Sequence, residues 1–141
     1  MKRAIAMKWV AALRSGKYSQ GRGQLRVNRR YRGKPAPEFC CLGVLCELAR
    51  KEVGGKWRRS TGSSAFVDEC DRHESVESRH TPPASVTAWA GMSGPNPMAA
   101  VGDRVQLAPV GEDMRTLAQL NDDGATFEQI ADVIEEQWKS L

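Results

Sequence analysis

The chain has 141 residues, 40% hydrophobic and 27% charged, which suits one α+β-sized domain and excludes two full-sized ones. No run approaches the ~18 apolar residues of a membrane span, and four cysteines are too few for a disulfide scaffold, so a membrane role and an oxidised framework are not expected. The net charge of +4 hides a division, because residues 1–60 carry sixteen Lys or Arg against three Glu, while residues 61–141 carry five against fourteen Asp or Glu.

The first segment, MKRAIAMKWVAALRSG, reads as an amphipathic helix within residues 1–16 and not as a secretory signal, which predicts a cytoplasmic protein. Ile5, Trp9 and Leu13, with Ala6 and Val10 beside them, fall on one helical stripe between Arg3 and Arg14, and Gly16 ends it. Residues 17–38 follow as a basic Gly/Arg segment holding seven cations before Glu38, expected as a hairpin or loop with a short strand at Gln24–Val27. Pro35 and Pro37 keep the chain extended before the next element.

Residues 39–53, from FCCLGVLCELA onward, have helical apolar spacing and are the expected core helix. Gly43 weakens a helix by about 1 kcal/mol relative to Ala, which suggests that another backbone or a ligand passes close to it. Lys56–Val67 suits a strand or hairpin around Trp57 and Phe66, and 68–80 is polar and irregular. Thr81-Pro82-Pro83 opens a short helix with Val86, Trp89 and Ala90 on one face. A long connection over 93–109 has room for one strand at Arg104–Leu107. The last element, 113–139, is an expected αα-hairpin: Met114, Leu117 and Ala118 mark the first helix, Asn121–Gly124 the turn, and Phe127, Ile130, Ala131, Ile134 and Trp138 the second stripe. Thr126 with Gln129 fits a capping box. The fold class is therefore α+β, a single helix-rich domain over 1–141 with a small antiparallel β element and a C-terminal αα-hairpin.

Candidate chemistry concentrates in the basic segment. Lys17, Arg22, Arg26, Arg29, Arg30, Arg32 and Lys34, interleaved with Tyr18, Tyr31 and glycines, supply forks for phosphate and ring faces for a base. The alternative is a solvated loop whose charge offsets the acidic half. No Walker-type or dinucleotide-type glycine fingerprint is present, which argues against an ATPase or a Rossmann enzyme. Cys70 and His73, with Cys40, Cys41, Cys46 and His80, could in principle hold zinc, but the spacing lacks a pair of closely spaced ligand couples, and no metal or cofactor is expected. A nucleophilic Cys40 or Cys41 near a helix start is a further reading, set against the simpler one of reduced thiols packed as small hydrophobes. The acid pairs Glu112-Asp113, Asp122-Asp123 and Glu135-Glu136 assign no acid/base couple. The C-terminal hairpin has the outline of a helix-turn-helix, but Glu128, Asp132, Glu135 and Glu136 would repel DNA phosphates.

The segments KWVAALRSGKYSQGRGQL, FCCLGVLCELA, PPASVTAWAG and LAQLNDDGATFEQIADVIEEQW together resemble a family of small accessory proteins of tailed bacteriophages. The resemblance covers most of the chain and implies expression in the bacterial host cytoplasm; it supplies no catalytic residue. By context it suggests counter-defence through sequestering a small nucleotide signal.

Three functions are carried forward. The first is a non-enzymatic binder of a small phosphate-bearing nucleotide, with Lys17, Arg22, Arg26, Arg29, Arg30 and Arg32 on phosphates and Tyr18 or Tyr31 on the base, working as a homo-oligomer. The second is a nucleic-acid binder using the same cations. The third is an inhibitor of a host protein acting through the C-terminal hairpin. An enzyme ranks last, since nothing groups nucleophile, base and oxyanion donor.

Overall fold

A computed structural model describes residues 1–59, 62–67, 78–100 and 114–141. Helix α1 (Arg3–Arg14) buries the expected stripe of Ile5, Ala6, Trp9, Val10 and Leu13, and Gly16 follows with a φ of +68°, the left-handed conformation that releases the chain from the helix. Short strands β1 (Ser19–Gln20) and β2 (Arg26–Val27) flank β5 (Glu38–Phe39), parallel on the first side and antiparallel on the second. Between β2 and β5 a small hairpin projects, β3 (Arg30–Tyr31) paired with β4 (Lys34–Pro35).

The core helix α2 spans Cys41–Ala49, shorter than the 39–53 expected. Phe39 belongs to β5, and Cys40 caps the helix by accepting the Gly43 N–H on its Sγ at 3.4 Å. Every residue from Cys41 to Cys46 is buried, as a helix apolar on all sides requires. Trp9 ties α1 to this helix by donating its indole N–H to the Cys41 carbonyl at 2.9 Å. The crowding inferred at Gly43 is present: the Leu25 carbonyl oxygen lies 1.8 Å from where a Cβ would sit.

The expected hairpin around Trp57 and Phe66 is β6 (Lys56–Arg59) with β7 (Ser64–Val67), joined to β2 by an isolated bridge between Val27 and Ser63. Helix α3 (Ala84–Ala90) starts after Pro83 and ends at Gly91 in the left-handed region. Strand β8 (Met98–Ala100) pairs antiparallel with β9 (Met114–Thr116). Met114 is therefore on a strand and 47% exposed, not on a helix face, and α4 (Leu117–Asp123) begins later than the 113 expected. The reason is a second capping box, in which Thr116 and Gln119 satisfy each other's backbone amides and set the helix start. Asn121–Asp123 form the last turn of α4, and Gly124 alone reverses the chain. Helix α5 (Phe127–Gln137) starts at the Thr126–Gln129 box as expected.

The architecture is the expected α+β one, with α2 at the centre of the core and small two- and three-stranded sheets around it. The apolar face of α5 is buried in that core, and its acidic face is engaged by α1. Arg14 contacts Glu128 at 3.1 Å, Asp132, and Glu135 at 2.9 Å; the hydrogen bonds it donates to Asp132 and Glu135 hold its guanidinium above the ordinary value. The face of α5 left outside the core carries Glu128, Asp132, Glu135 and Glu136, a charge that opposes DNA phosphates. The expected strand at 104–107, the irregular stretch at 68–77, and the candidate ligands Cys70 and His73 lie outside the described residues. No described helix is long and apolar enough to cross a membrane.

Candidate functional site

Residues from four elements, β1, β2, β5 and α2, meet at a hollow of about 420 Å³, lined by Lys17, Tyr18, Arg26, Pro37, Phe39 and Glu47 among others. The sheet β1–β5–β2 positions its floor. Register pairs Arg26 with Phe39 across the antiparallel strands, and Tyr18 immediately precedes β1, which lies on the other side of β5. Tyr18 meets Phe39 edge to face with centroids 5.5 Å apart; Phe39 meets Trp57 at 6.0 Å, and Trp57 meets Phe66 at 5.0 Å. This aromatic run leads from the hollow into the core, where Phe66 is fully buried.

Arg26 is laid against that run. Its guanidinium carbon is 5.5 Å from both the Phe39 and the Trp57 ring centroids, a cation held by two aromatic faces. Its Nε is buried with no hydrogen-bond partner, and no described carboxylate forms an ion pair with it. Burial lowers its affinity for the proton below the ordinary arginine value; Glu47 opposes this, and repulsion from Arg59 and Arg50 adds to it. Arginine nonetheless stays charged, so the side chain is a partly desolvated cation short of an anion.

Glu47 is the acid of the hollow. Its Oε2 accepts the Trp57 indole N–H at 2.6 Å, and its Oε1 pairs with Arg50 at 3.1 Å. Tyr18 is pushed above its ordinary phenol value, first by burial and then by the Glu47 charge, so it remains a neutral ring with a hydroxyl donor.

Arg26 also borders a second, smaller hollow of about 160 Å³, with Asn28, Arg29, Pro35, Pro37 and Arg59. Three arginines border one space there. Arg29 is partly engaged by Glu38 at 3.5 Å, whereas Arg59 has no carboxylate partner among the described residues. Asn28 holds the wall, donating to the Ser63 carbonyl and accepting from the Ser64 hydroxyl at 2.9 Å.

Of the residues expected at a site, the structure brings Lys17, Tyr18 and Arg26 to the larger hollow and Arg26 and Arg29 to the smaller. It does not bring the others there. Arg30, Tyr31 and Arg32 sit on the projecting β3–β4 hairpin, exposed, with Arg32 stacked 5.4 Å over Tyr31 and Tyr31 67% exposed. Arg22 lies at the C-terminal end of α4, its Nη2 3.2 Å from where a Cβ on Gly124 would be, a placement that complements a helix end's partial negative charge. Trp57, Glu47 and Arg59 were not anticipated. Trp57 read as hairpin core, and nothing local marks Glu47 as facing a basic loop.

The three described thiols are buried packing groups. Cys40, Cys41 and Cys46 are free and buried, and burial pushes Cys40 up to about 11 and the other two well above their ordinary value. The helix-start activation considered for Cys40 and Cys41 is outweighed by desolvation. Among the described residues no group of His, Cys, Asp or Glu is placed to hold a metal ion.

A family model described as a domain of unknown function (DUF8296) matches residues 1–138, nearly the whole chain. No curated protein and no solved structure matches it.

Proposed function

Because the chain belongs to the DUF8296 family, whose description assigns no activity, we propose from the site alone that it binds and sequesters a small phosphate-bearing nucleotide without transforming it. The observation that carries this is Arg26, a half-buried, aromatic-stacked arginine with its Nε buried and with no carboxylate partner among the described residues, shared by two adjoining hollows. The larger offers ring surfaces and falls in the roughly 300–1,000 Å³ range of small-ligand clefts, while the smaller offers three cations at phosphate scale. Base in the first and phosphate in the second, bridged by Arg26, satisfies both. The hollow opens to solvent, and a second copy of the chain closing over it is the homo-oligomer we propose. The setting we propose is the one the phage resemblance implies, an accessory protein of the bacterial host cytoplasm acting against a nucleotide signal.

The test is thermal stabilisation of the full chain by cyclic dinucleotides, cyclic trinucleotides, cyclic ADP-ribose isomers and mononucleotides. At least one should raise Tm, Arg26→Ala should remove the rise, Arg26→Lys should restore part of it, and the ligand should be recovered chemically unchanged. Silence across the panel overturns the reading, and a converted ligand overturns its non-catalytic part.

A second reading has its own observation. The β3–β4 hairpin presents Arg30, Arg32, Lys34 and the exposed ring of Tyr31 away from the hollows, which suits a polynucleotide backbone with a stacked base.

A further inference from the structure

Glu47 is out of place in a site for an anion alone. Among the described residues it is the only acid lining the larger hollow, and a phosphate there would meet its charge. A carboxylate has about four acceptor positions, two on each oxygen. Trp57 occupies one on Oε2 and Arg50 faces one on Oε1, and no other described residue donates to either oxygen. Each oxygen therefore keeps acceptor capacity beyond the single contact it makes.

We infer that the larger hollow selects guanine, with Glu47 as the specificity-determining residue; this rests on the nucleotide reading above. Guanine presents N1–H and the N2 amino group on one edge, two parallel donors that match two parallel acceptors as an arginine fork does. Adenine puts an acceptor, N1, beside its N6 donor, so one carboxylate oxygen would face a lone pair. Cytosine has the same mismatch, and uracil offers a single N–H between two carbonyls. The site also orients the molecule. Repulsion by Glu47 and attraction by Arg26, Arg29 and Arg59 send the phosphate toward the smaller hollow, leaving the base among Tyr18, Phe39 and Glu47.

The experiment is calorimetric titration of the full chain with guanosine, inosine and adenosine 5′-monophosphates and with the 3′,5′-cyclic dinucleotides of guanosine and adenosine. Guanine ligands should bind roughly tenfold tighter than the hypoxanthine ligand, which lacks the N2 amino group, and by a larger factor than the adenine ligands. Glu47→Gln should abolish the preference. Should Glu47→Gln fail to fold, the comparison of guanine with hypoxanthine on the unaltered chain decides: equal affinity overturns the inference. Equal binding of guanine and adenine ligands, or Arg26-dependent binding of a different nucleotide only, overturns it and leaves the nucleotide reading standing. A guanine preference that survives Glu47→Gln removes Glu47 from the role, and failure of every nucleotide in both panels overturns both readings.

Discussion

The carbonyl oxygen of Leu25 occupies the space that a side chain on Gly43 would need, 1.8 Å from the ideal Cβ position, with the Leu25 carbonyl carbon at 2.7 Å. Neither atom can move cheaply, since both are backbone in a buried crossing and Leu25 is itself fully buried. Gly43→Ala should therefore destabilise the fold by about 3 kcal/mol, the upper end of overpacking costs, although alanine is the better helix former. Urea denaturation would measure it. Arg26 follows Leu25 directly, so whatever variant folds should also lose nucleotide-induced stabilisation.

Asn121 is fully buried with all its bonding groups engaged. Its Oδ1 accepts from Cys41 N–H at 3.2 Å and from Gln20 Nε2 at 3.1 Å, and its Nδ2 donates to the Gly21 carbonyl at 2.8 Å. One amide thus joins the start of α2, the end of β1 and α4. Asn121→Ala would strand those groups and should cost about 3 kcal/mol in denaturant unfolding. Asn121→Asp should cost at least as much near neutral pH, because it turns a carboxylate toward the Gly21 carbonyl.

Buried thiols give the stability a defined alkaline edge. Cys40 has its proton held to about 11 in the folded protein against an ordinary 9.0. Between those values the native state keeps a proton that the unfolded chain has released, so raising pH favours unfolding; below about 9 both states are protonated and the thiol contributes no slope. Cys41 and Cys46 act in the same direction. Unfolding free energy should be insensitive to these groups near pH 8 and fall above pH 9 by up to about 1.4 kcal/mol per pH unit per thiol. A shallower fall in Cys46→Ala would be the check.

Arg14 is the meeting point of the basic first half and the acidic second half. Its three acidic neighbours on α5 are largely solvent-exposed, so Arg14→Ala should cost only about 1 kcal/mol, and the difference from the unaltered chain should shrink in 1 M salt. Thermal melts at two ionic strengths would show it.

The two readings of the basic segment separate by substitution. Replacing Arg30, Arg32 and Lys34 with alanine should leave Tm and nucleotide-induced stabilisation unchanged, since all three side chains are exposed and none lines either hollow. Loss of nucleotide stabilisation in that variant would place the ligand on the hairpin instead. Salt-dependent binding of single-stranded DNA or RNA, if it occurs, should be what the triple variant loses.

Much of the fold was legible where the signal is local. The stripe of α1, the Gly16 stop, the tight approach at Gly43 and the Thr126–Gln129 box each depend on residues within a turn or two of one another. The Thr116–Gln119 box carried the same pattern, and reading it would have moved the start of α4 to its true place. The site was legible only in part, because cations close in sequence were divided by strand geometry. Arg26 and Arg29 turn to the hollows, while Arg30 and Arg32 ride a hairpin that carries them away. Glu47 and Trp57 reach Arg26 through α2 and the β6–β7 hairpin, a tertiary arrangement that no spacing within residues 17–38 encodes.

The walls of the larger hollow and the Trp57 behind it hang from separate supports: Tyr18, Arg26 and Phe39 from the three-stranded sheet, Glu47 from α2, and Trp57 from a hairpin that reaches β2 through the Val27–Ser63 bridge. A guest lodged there acts as a splint across all of them. Slower amide exchange should then spread to β7, which lines neither hollow, and the indole of Trp57 becomes a built-in optical gauge of occupancy.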